Sequence, residues 1–408
     1  MYRKNLFTPL TVGYDWEMAV LKDTTESAGE EEIREIADKI RRRLPWARTG
    51  IDIDLLELRM VAISDWNEFK EKNRALVECA REIAKRKGYT ILPIGARPTE
   101  QMPIGSHIHI GTVTDFPDAV RVSNAMTKYV PSLVALGCNS PFSRFDVGEF
   151  KSYRIIYNAE NCSLPNELRI PDLARGGWGE DVQVRLPGKP TIEIRCLDSA
   201  SSVDLMEEYV ALLAGLVYGI GKKLLKIKWG TNTIRWQSIN RFRAAKDGLQ
   251  TIFYWNGKEV SAVETFKEVF SLVDVGIKKF GASIGDLRII NEMLKKRQTQ
   301  SDFLLLFSQL DSDPHSLFRT IINILKDGDN FKKYLKRAKR LSLKKPPSIE
   351  DFILSYITKD VPYNLLYFLT PLTPHNLDRI LARLEKEGKI IQKTSISEGK
   401  LYSKRDIR

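Results

Sequence analysis

Titratable residues recur at every second position in several short segments of this 408-residue chain. The stretch "VGYDWEM" holds Asp15 and Glu17, and the stretch "GSHIHIG" holds His107 and His109, half of the four histidines in the sequence. A period of two is typical of β-strands, because successive side chains point to opposite faces of a sheet. The sequence therefore predicts strands with one buried apolar face and one face that carries charges.

The same spacing appears in "TIEIR", where Glu193 and Arg195 share a face, while Glu57 lies in the middle of the strand-like "LLELRM". Carboxylates on an inward strand face are costly unless they are paired or bind a metal ion. For each acid alone, a solvent-facing position or a salt bridge is the alternative, and the histidine pair alone fits a structural function equally well. Together, several carboxylates and one imidazole suit Mg²⁺ or Mn²⁺ better than Zn²⁺.

Helical segments alternate with the strands along the chain. Apolar residues recur with helical spacing in residues 30–44, 65–89 and 202–227. Residues 50–61 predict a single strand. Apolar and polar residues alternate along several of the predicted strands, as in sheets with one buried face. We therefore predict an α+β fold in which a mainly antiparallel sheet carries helices on its back.

The chain divides into two predicted domains, residues 1–340 and 345–408. The pattern from 286 to 340 is helical, and "KKPPS" at 344–348 predicts a linker. After it, "YNLLYFLT" predicts a short helix, "TPHNLDRILARLEKEGKI" a longer one, and the remaining residues a hairpin with Glu398 and Gly399 at its tip. This order resembles a winged-helix domain. We expect it to have a structural or partner-binding function and keep nucleic-acid binding as the alternative, because acids interleave with basic residues on the longer helix.

The net charge of +12 favours anionic partners such as a nucleotide, an acidic substrate or nucleic acid. Residues 318–346 hold ten lysines and arginines against two aspartates, although a solvated helix face is the simpler explanation of that run. No secretion signal and no apolar run of ~20 residues is found, so we expect a cytoplasmic protein without a membrane segment. We expect the scattered cysteines to be reduced and buried. They are Cys79, Cys138, Cys162 and Cys196.

Five segments occur in the order seen in the type-2 glutamate–cysteine ligase family: "VGYDWEM", "GSHIHIG", "ALGCNSPFSRFDVGEFKSYR", "TIEIRCLDS" and "NRFRAAKDGL". The third is the most specific, since the family shows Asn-Ser-Pro-Phe and then Gly-Tyr-x-Ser-x-Arg. Over residues 10–300 the chain therefore resembles this family of ATP-dependent carboxylate–amine ligases, which belongs to the glutamine-synthetase-like superfamily. The resemblance implies a curved catalytic sheet, ATP and Mg²⁺ or Mn²⁺ as cofactors, and a reaction through an acyl phosphate that gives ADP and phosphate.

The resemblance also implies functions for individual residues. The implied metal ligands are Asp15, Glu17, Glu57, His107 and Glu193. His109 corresponds to a histidine that contacts the nucleotide phosphates. The cations implied to bind phosphate or substrate are Arg154, Arg195, Arg243 and Lys246, of which the first two are the candidate catalytic residues.

The chain departs from the family pattern at several positions. Asp15 stands where the family has Glu, and Trp16 replaces a middle Glu. Lys246 replaces an Arg, which loses bidentate geometry. The family name makes glutamate and cysteine the default substrates, and these departures leave other amines open. We also expect a homodimer that acts on small molecules.

Two other functions fit parts of the sequence. A metal-dependent hydrolase would use His107 and His109, but such sites usually need more imidazoles, and His315 and His375 lie outside the matching region. A regulatory protein would combine a ligand-sensing ligase-like domain with a DNA- or protein-binding winged helix. The complete set of implied metal ligands favours an enzyme over this second alternative.

Overall fold

The computed structural model describes the chain between residues 7 and 404 with gaps. The described ranges are 7–22, 26–96, 103–113, 115–142, 150–157, 181–185, 189–223, 231–308, 350, 353–354, 357, 360–363, 366, 374–395 and 399–404. The predicted linker, the basic run at 318–346 and Glu398 of the predicted hairpin tip lie outside these ranges.

An antiparallel sheet of seven strands organises the described part of the chain, as the sequence predicts. The strands are β1 (Phe7–Leu21), β2 (Gly50–Asp52), β3 (Leu55–Ile63), β4 (Thr90–Leu92), β5 (Gly105–Val113), β6 (Val182–Arg185) and β7 (Thr191–Asp198). Their order across the sheet is β2-β3-β1-β5-β7-β6, and β4 pairs with the end of β1. The long β1 thus lies between β3 and β5, the strands that carry Glu57 and the histidine pair.

The two faces of the sheet differ in chemistry because the strands alternate. On β1, Tyr14 and Trp16 are fully buried on the apolar face, and isoleucines of β5 and β7 are buried in the same way. This face packs against a helix, Val203–Lys223, that is itself buried along nearly its whole length. Burial of one face in the core leaves the other face for the charged residues.

Helices pack against the apolar face of the sheet and against one another. They are α1 (Glu30–Arg43), α2 (Trp66–Arg86), α3 (Phe116–Thr127), α4 (Val130–Gly137), α5 (Tyr153–Tyr157), α6 (Val203–Lys223), α7 (Thr231–Asp247), α8 (Ala262–Ile277), α9 (Arg288–Lys296) and α10 (Gln300–Ser308). The start of α2 follows from a cap, since the Asp65 side chain accepts from the backbone N–H of Asn67 and Glu68. Its end follows from Gly88, whose φ of 81° is in the left-handed region.

The single strand predicted for residues 50–61 is wrong. The structure forms a hairpin of β2 and β3 instead, with the turn between Asp52 and Leu55. Ile53 has a φ of 55° and is 74% exposed at this turn. A β-branched residue rarely adopts this conformation, so the sequence carries no turn signal at this position.

The C-terminal segment forms a small unit with its own apolar core. Its described elements are β10 (Val361–Pro362), α11 (Pro374–Lys386), β11 (Ile390–Ser395) and β12 (Gly399–Lys404). A separate hairpin, β8 (Ile252–Trp255) and β9 (Lys258–Ser261), lies earlier in the chain. The order of helix and hairpin is the predicted one, and Phe242 of α7 packs against this core. Most of the first predicted helix lies outside the described residues, so the winged-helix assignment and the 345–408 boundary stay predictions.

Two simpler predictions concern membranes and cysteines. Within the described residues, every helix is too short or too polar to cross a bilayer. Cys79, Cys138 and Cys196 are buried and form no disulfide, as expected for them, and Cys162 lies outside the described residues.

Candidate active site

The charged face of the sheet gathers residues from four neighbouring strands. The opposed pairs in the strand register are Glu17–Glu57, Asp15–His107 and His109–Glu193. All five residues proposed as metal ligands from the sequence therefore lie on one face. The structure nevertheless divides them into smaller groups by their contacts.

Glu17, Glu57 and His107 form the first group. Each offers one potential ligand atom, and these atoms all lie within 4.8 Å of one another. All three side chains are buried. Glu17 Oε1 lies 3.5 Å from His107 Nε2, and Glu17 Oε2 accepts the backbone N–H of Gly105 at 2.6 Å. Two carboxylates that face each other in a sheet repel, and a cation bound by both would remove this repulsion.

The protonation of this group follows from its burial. Burial raises the pKa of Glu17 to about 7, although the positive charge of Arg154 partly offsets the effect. Burial and the nearby charge of Asp15 raise the pKa of Glu57 to about 7 as well. Burial, followed by the charge of Arg195, lowers the pKa of His107 well below its usual value. At neutral pH the imidazole is therefore neutral, which is the form that binds a metal ion.

Glu193 belongs to a second group that already contains cations. Its Oε1 accepts from Arg195 at 2.7 Å, and its Oε2 accepts from Gln183 and Arg185. Burial raises its pKa, but the charges of His109, His107 and Arg195 outweigh burial and hold the pKa below its usual range. Glu193 is therefore ionised and fixes the two arginines at the floor of the site.

His109 bonds to Asp15 between the two groups. His109 Nε2 lies 3.1 Å from Asp15 Oδ2 and 3.9 Å from Glu193 Oε1. Burial lowers the pKa of His109, but the hydrogen bond to Asp15 and the charge of Glu193 raise it further, so the net shift is upward. Of the two histidines, His109 thus favours the protonated form that attracts anions and His107 the neutral form.

Arg154 reaches the site from α5, outside the sheet. Its Nη2 donates to the carbonyl oxygen of Arg195 at 3.0 Å and lies 3.4 Å from His107 Nε2. The guanidinium lies directly over Gly105, where a Cβ would come within 2.7 Å of Arg154 Cζ. The glycine in "GSHIHIG" is thus required for the close approach of this arginine.

A buried carboxylate, Asp198, fixes the segment that carries Arg154. Its oxygens accept from the Asn139 backbone N–H and the Ser140 hydroxyl, both at 2.7 Å, and from the Ser152 hydroxyl at 2.9 Å. Asp198, the last residue of β7, thus holds Asn139, Ser140 and Ser152 of the motif, and these contacts position Arg154. Sequence reasoning quoted Asp198 within "TIEIRCLDS" without assigning it a function.

The two remaining predicted cations lie on α7. Arg243 is fully buried and donates to the Ile252 carbonyl at 3.2 Å, and the Lys246 carbonyl accepts from the Lys151 backbone N–H at 3.2 Å. These contacts place neither residue directly against Glu17 or His107, so their phosphate-binding function stays a prediction. His375 lies on α11, and His315 is outside the described residues.

Sequence reasoning missed three arginines of the site. Arg59 bonds Glu57, and Arg185 bonds Glu193. Arg241 donates two hydrogen bonds to the Asp181 carboxylate, at 2.6 and 3.0 Å. The backbone carbonyl of Asp181 in turn accepts from the Arg195 backbone N–H. The alternation in "VQVR" and "ELRM" contains the first two, whereas the Arg241–Asp181 pair joins distant segments and left no local signal.

The sequence is similar to those of known ligases. Residues 99–171 match the model of glutamate–cysteine ligase family 2. The chain is 29% identical over 184 residues to the glutamate–cysteine ligase of Haloferax volcanii, covering 40% of this chain and 51% of that protein. It is 28% identical over 244 residues to a protein of Thermobifida fusca that carries the glutamate–cysteine ligase 2 name, covering 54% and 56%. The chain is thus similar in sequence to type-2 glutamate–cysteine ligases. It spans about half the length of these curated relatives.

Solved structures of low sequence identity share the fold of this chain. The glutamate–cysteine ligase of Francisella tularensis, solved in complex with AMP, superposes with a TM-score of 0.52 at 11% identity, over 93% of this chain and 98% of that one. The ligase PafA, in its complex with the prokaryotic ubiquitin-like protein Pup, gives 0.53 at 12% identity, over 95% and 85%. These likenesses confirm the predicted ligase fold for the sheet and its helices.

Proposed function

We propose that this chain is an ATP-dependent ligase that joins a carboxylate to an amine and releases ADP and phosphate. Glutamate and cysteine are the first candidate substrates, because the curated relatives are named for them. The observation that carries the proposal is the buried group of Glu17, Glu57 and His107 beside a row of arginines. Carboxylates for a cation and arginines for phosphates are what transfer of a phosphoryl group requires.

A divalent cation fits the residues present at this group. Two buried carboxylates and a neutral imidazole provide ligands that Mg²⁺ or Mn²⁺ accepts. Burial raises the pKa of both carboxyls, and a bound cation would favour their ionised forms. A bound ion would neutralise charge on the phosphate oxygens. Asp15 and Glu193 stay predictions as further ligands, and Glu193 already binds two arginines of this chain.

The proposed reaction has two steps. An oxygen of the substrate carboxylate attacks the γ-phosphorus of ATP, and the bond between that phosphorus and the bridging oxygen of ADP breaks. The amine nitrogen then attacks the acyl carbon, phosphate leaves, and the nitrogen loses one proton to water. Bringing two anions together is the difficulty in the first step, since they repel.

In the proposal, the positive charges of the arginines and of His109 offset the repulsion between the two anions. Glu193 holds the guanidinium of Arg195 at a defined position, and Arg185 is held in the same way. Planar guanidinium groups bind carboxylate and phosphate through two parallel hydrogen bonds. Protonated His109, held by Asp15, adds a further positive charge on the same face.

The test measures ADP release with ATP, Mg²⁺ and pairs of carboxylates and amines, with product masses read by mass spectrometry. Hydroxylamine in place of the amine should give the hydroxamate of the activated carboxylate, because it traps an acyl phosphate. Glu17→Gln should abolish ADP release, whereas the exposed control Glu78→Gln should not. ADP release that needs no carboxylate, or ATP-independent hydrolysis of an ester or amide, would refute the proposal and favour the hydrolase alternative.

We further propose that the C-terminal unit, residues 345–408, is a winged-helix-like domain with a structural or partner-binding function, and that the protein forms a homodimer. The support for a separate unit is its own apolar core, against which Phe242 of α7 packs. Exposed acids at Asp378 and Glu385 interleave with Arg379 and Lys386 on α11, which weakens the case for nucleic acid. Sedimentation of the full chain and of a chain truncated after residue 344 would test the dimer and the contribution of this unit to it.

A further inference from the structure

Arg241 of α7 and Asp181, the residue before β6, form a buried ion pair. Arg241 Nε and Nη2 donate to the two carboxylate oxygens of Asp181, at 2.6 and 3.0 Å. Asp181 is fully buried, and Arg241 is only 6% exposed. Arg241 lies in the segment "NRFRAAKDGL", where the resemblance to the ligase family implies a function only for Arg243 and Lys246. The contacts of this pair give Arg241 a function of its own.

The guanidinium of Arg241 also holds the helix that carries Arg154. Arg241 Nη1 donates to the backbone carbonyl of Ile155 at 3.2 Å. Ile155 follows Arg154 in α5, a helix of five residues. Because the last four carbonyls of a helix have no partner within it, so short a helix depends on donors from outside to fix its backbone. Arg241 therefore ties the backbone next to Arg154 to α7.

The carboxylate partner of Arg241 belongs to a residue that holds the strand of Arg195. The backbone carbonyl of Asp181 accepts from the Arg195 backbone N–H at 2.8 Å. Asp181 also leads directly into β6, whose Gln183 and Arg185 both donate to Glu193. Asp181 is thus bonded to the backbone of Arg195 and continuous with the strand that fixes Glu193.

These contacts close into a ring that contains both candidate catalytic arginines. From Arg241 the ring passes through the Ile155 carbonyl to Arg154, whose Nη2 donates to the Arg195 carbonyl at 3.0 Å. From Arg195 the backbone N–H leads to Asp181, whose carboxylate binds Arg241 again. Arg241 is the member that bonds to both halves, since one half carries Arg154 and the other carries Arg195.

We propose that Arg241 is a positioning residue of the ligase site. It acts by fixing the backbones of Arg154 and Arg195, so that the two guanidinium groups keep the separation needed to hold a carboxylate beside a transferring phosphoryl group. A displacement of about 1 Å in such groups can lower a rate about 100-fold. This inference rests on the proposed ligase function and adds a residue that acts through the two arginines.

The first test replaces Arg241 by Lys, which keeps the charge but loses the planar group that reaches Asp181 and Ile155 together. Carboxylate-dependent ADP release should fall at least about tenfold. The matched control is Arg74→Lys, because Arg74 of α2 also binds both oxygens of a buried carboxylate, Glu207 of α6, at 3.0 Å. The control should stay within about twofold of wild type. Wild-type activity in Arg241→Lys would overturn the proposal.

A second variant separates positioning from stability. Arg241→Gln combined with Asp181→Asn leaves no buried charge, and the two amides can still bond to each other. The urea midpoint should then lie close to that of wild type, while ADP release should remain at least about tenfold lower, since the shorter amide cannot also reach the Ile155 carbonyl. Recovery of ADP release together with stability would make the pair a purely structural one.

Action through Arg195 also predicts that the effects of two substitutions overlap. Independent tenfold losses in Arg241→Lys and Arg195→Lys would multiply to about 100-fold in the double variant. In a chain that already carries Arg195→Lys, Arg241→Lys should instead lower ADP release by less than about threefold, because one of the guanidinium groups that it positions is already absent. Fully multiplicative losses would contradict positioning through Arg195.

The positions of the two arginines have a readout that needs no activity. In the ¹⁵N-labelled full chain, the side-chain Nε–H resonances of Arg154 and Arg195 are assigned with Arg154→Lys and Arg195→Lys. Arg241→Lys should shift both resonances, and the control Arg74→Lys should shift neither. Unmoved resonances would overturn the positioning function even where the ligase reaction is established. Shifted resonances in a chain whose wild type lacks carboxylate-dependent ADP release would refute the proposed reaction alone.

Discussion

Replacing Glu57 by Gln should stabilise the metal-free protein at alkaline pH. The carboxyl of Glu57 is buried opposite Glu17, and its pKa is raised from 4.5 to about 7 by burial and by Asp15. The folded state therefore binds a proton that the unfolded state has released, so the stability of the wild type falls as pH rises from about 4.5 to 7. Ionising Glu57 in the folded state lowers the unfolding free energy by about 3 kcal/mol in full, and about 2–3 kcal/mol of this loss develops between pH 5 and pH 8.

The assay is urea unfolding at pH 5 and pH 8 in the presence of EDTA. The difference in unfolding free energy between Glu57→Gln and the wild type should grow with pH by an amount on the order of 2 kcal/mol, in favour of the variant. Added Mg²⁺ should stabilise the wild type at pH 8 by about 2.7 kcal/mol at a hundred times its dissociation constant, and should not stabilise the variant. The exposed control Glu78→Gln should follow the wild type at both pH values. Parallel curves for Glu57→Gln and wild type would refute the argument that burial and Asp15 penalise the ionised Glu57 carboxylate more than Arg59 stabilises it.

Three further results should follow from the structure. Arg195→Lys keeps the charge but loses the planar fork that Glu193 positions, so turnover should fall by at least about tenfold, or ~1.4 kcal/mol, with little change in unfolding by urea; a fall in stability alone would make Arg195 a structural residue. Gly105→Ala should displace the Arg154 guanidinium and cost about 1–3 kcal/mol of unfolding free energy together with ligase turnover, and unchanged values of both would contradict the close approach. Duplex DNA titrated with the full chain should show no binding that weakens steeply with salt, because acidic residues interleave with the arginines and lysines of α11. A steep dependence of the affinity on salt would instead establish phosphate contacts.

The sequence predicted the sheet and the shared face of the site because both depend on a period of two. Once Asp15 and Glu17 lie on one face of a strand, their apolar neighbours Tyr14 and Trp16 must lie on the other, and the structure buries them there. Periodicity is a local property, so it can be read without knowing which strands pair. The same reading failed at residue 53, where an isoleucine turns the chain without a glycine, asparagine or proline.

The contacts between distant segments could not be predicted in this way. Arg154 lies beside His107, and Asp198, at the end of another strand, accepts from the hydroxyls of Ser140 and Ser152 next to it. The resemblance to a family placed Arg154 at the site, but no spacing in the sequence shows which carboxylate positions it. Such pairings depend on the three-dimensional order of strands and helices, which local patterns leave open.

The apolar face of the sheet also holds a buried polar pair, Tyr14 and Asn73. Tyr14 lies on the apolar face of β1 and still keeps a hydrogen bond, because α2 supplies Asn73 at 2.6 Å. A phenylalanine at position 14 would pack equally well against Phe69 and Trp16, so packing alone does not require the hydroxyl. A buried polar pair is costly when one partner is left unpaired, so both groups must be in place once this face is packed. The pair therefore fixes β1 against α2 one residue before Asp15, and in this way supports the position of the charged face.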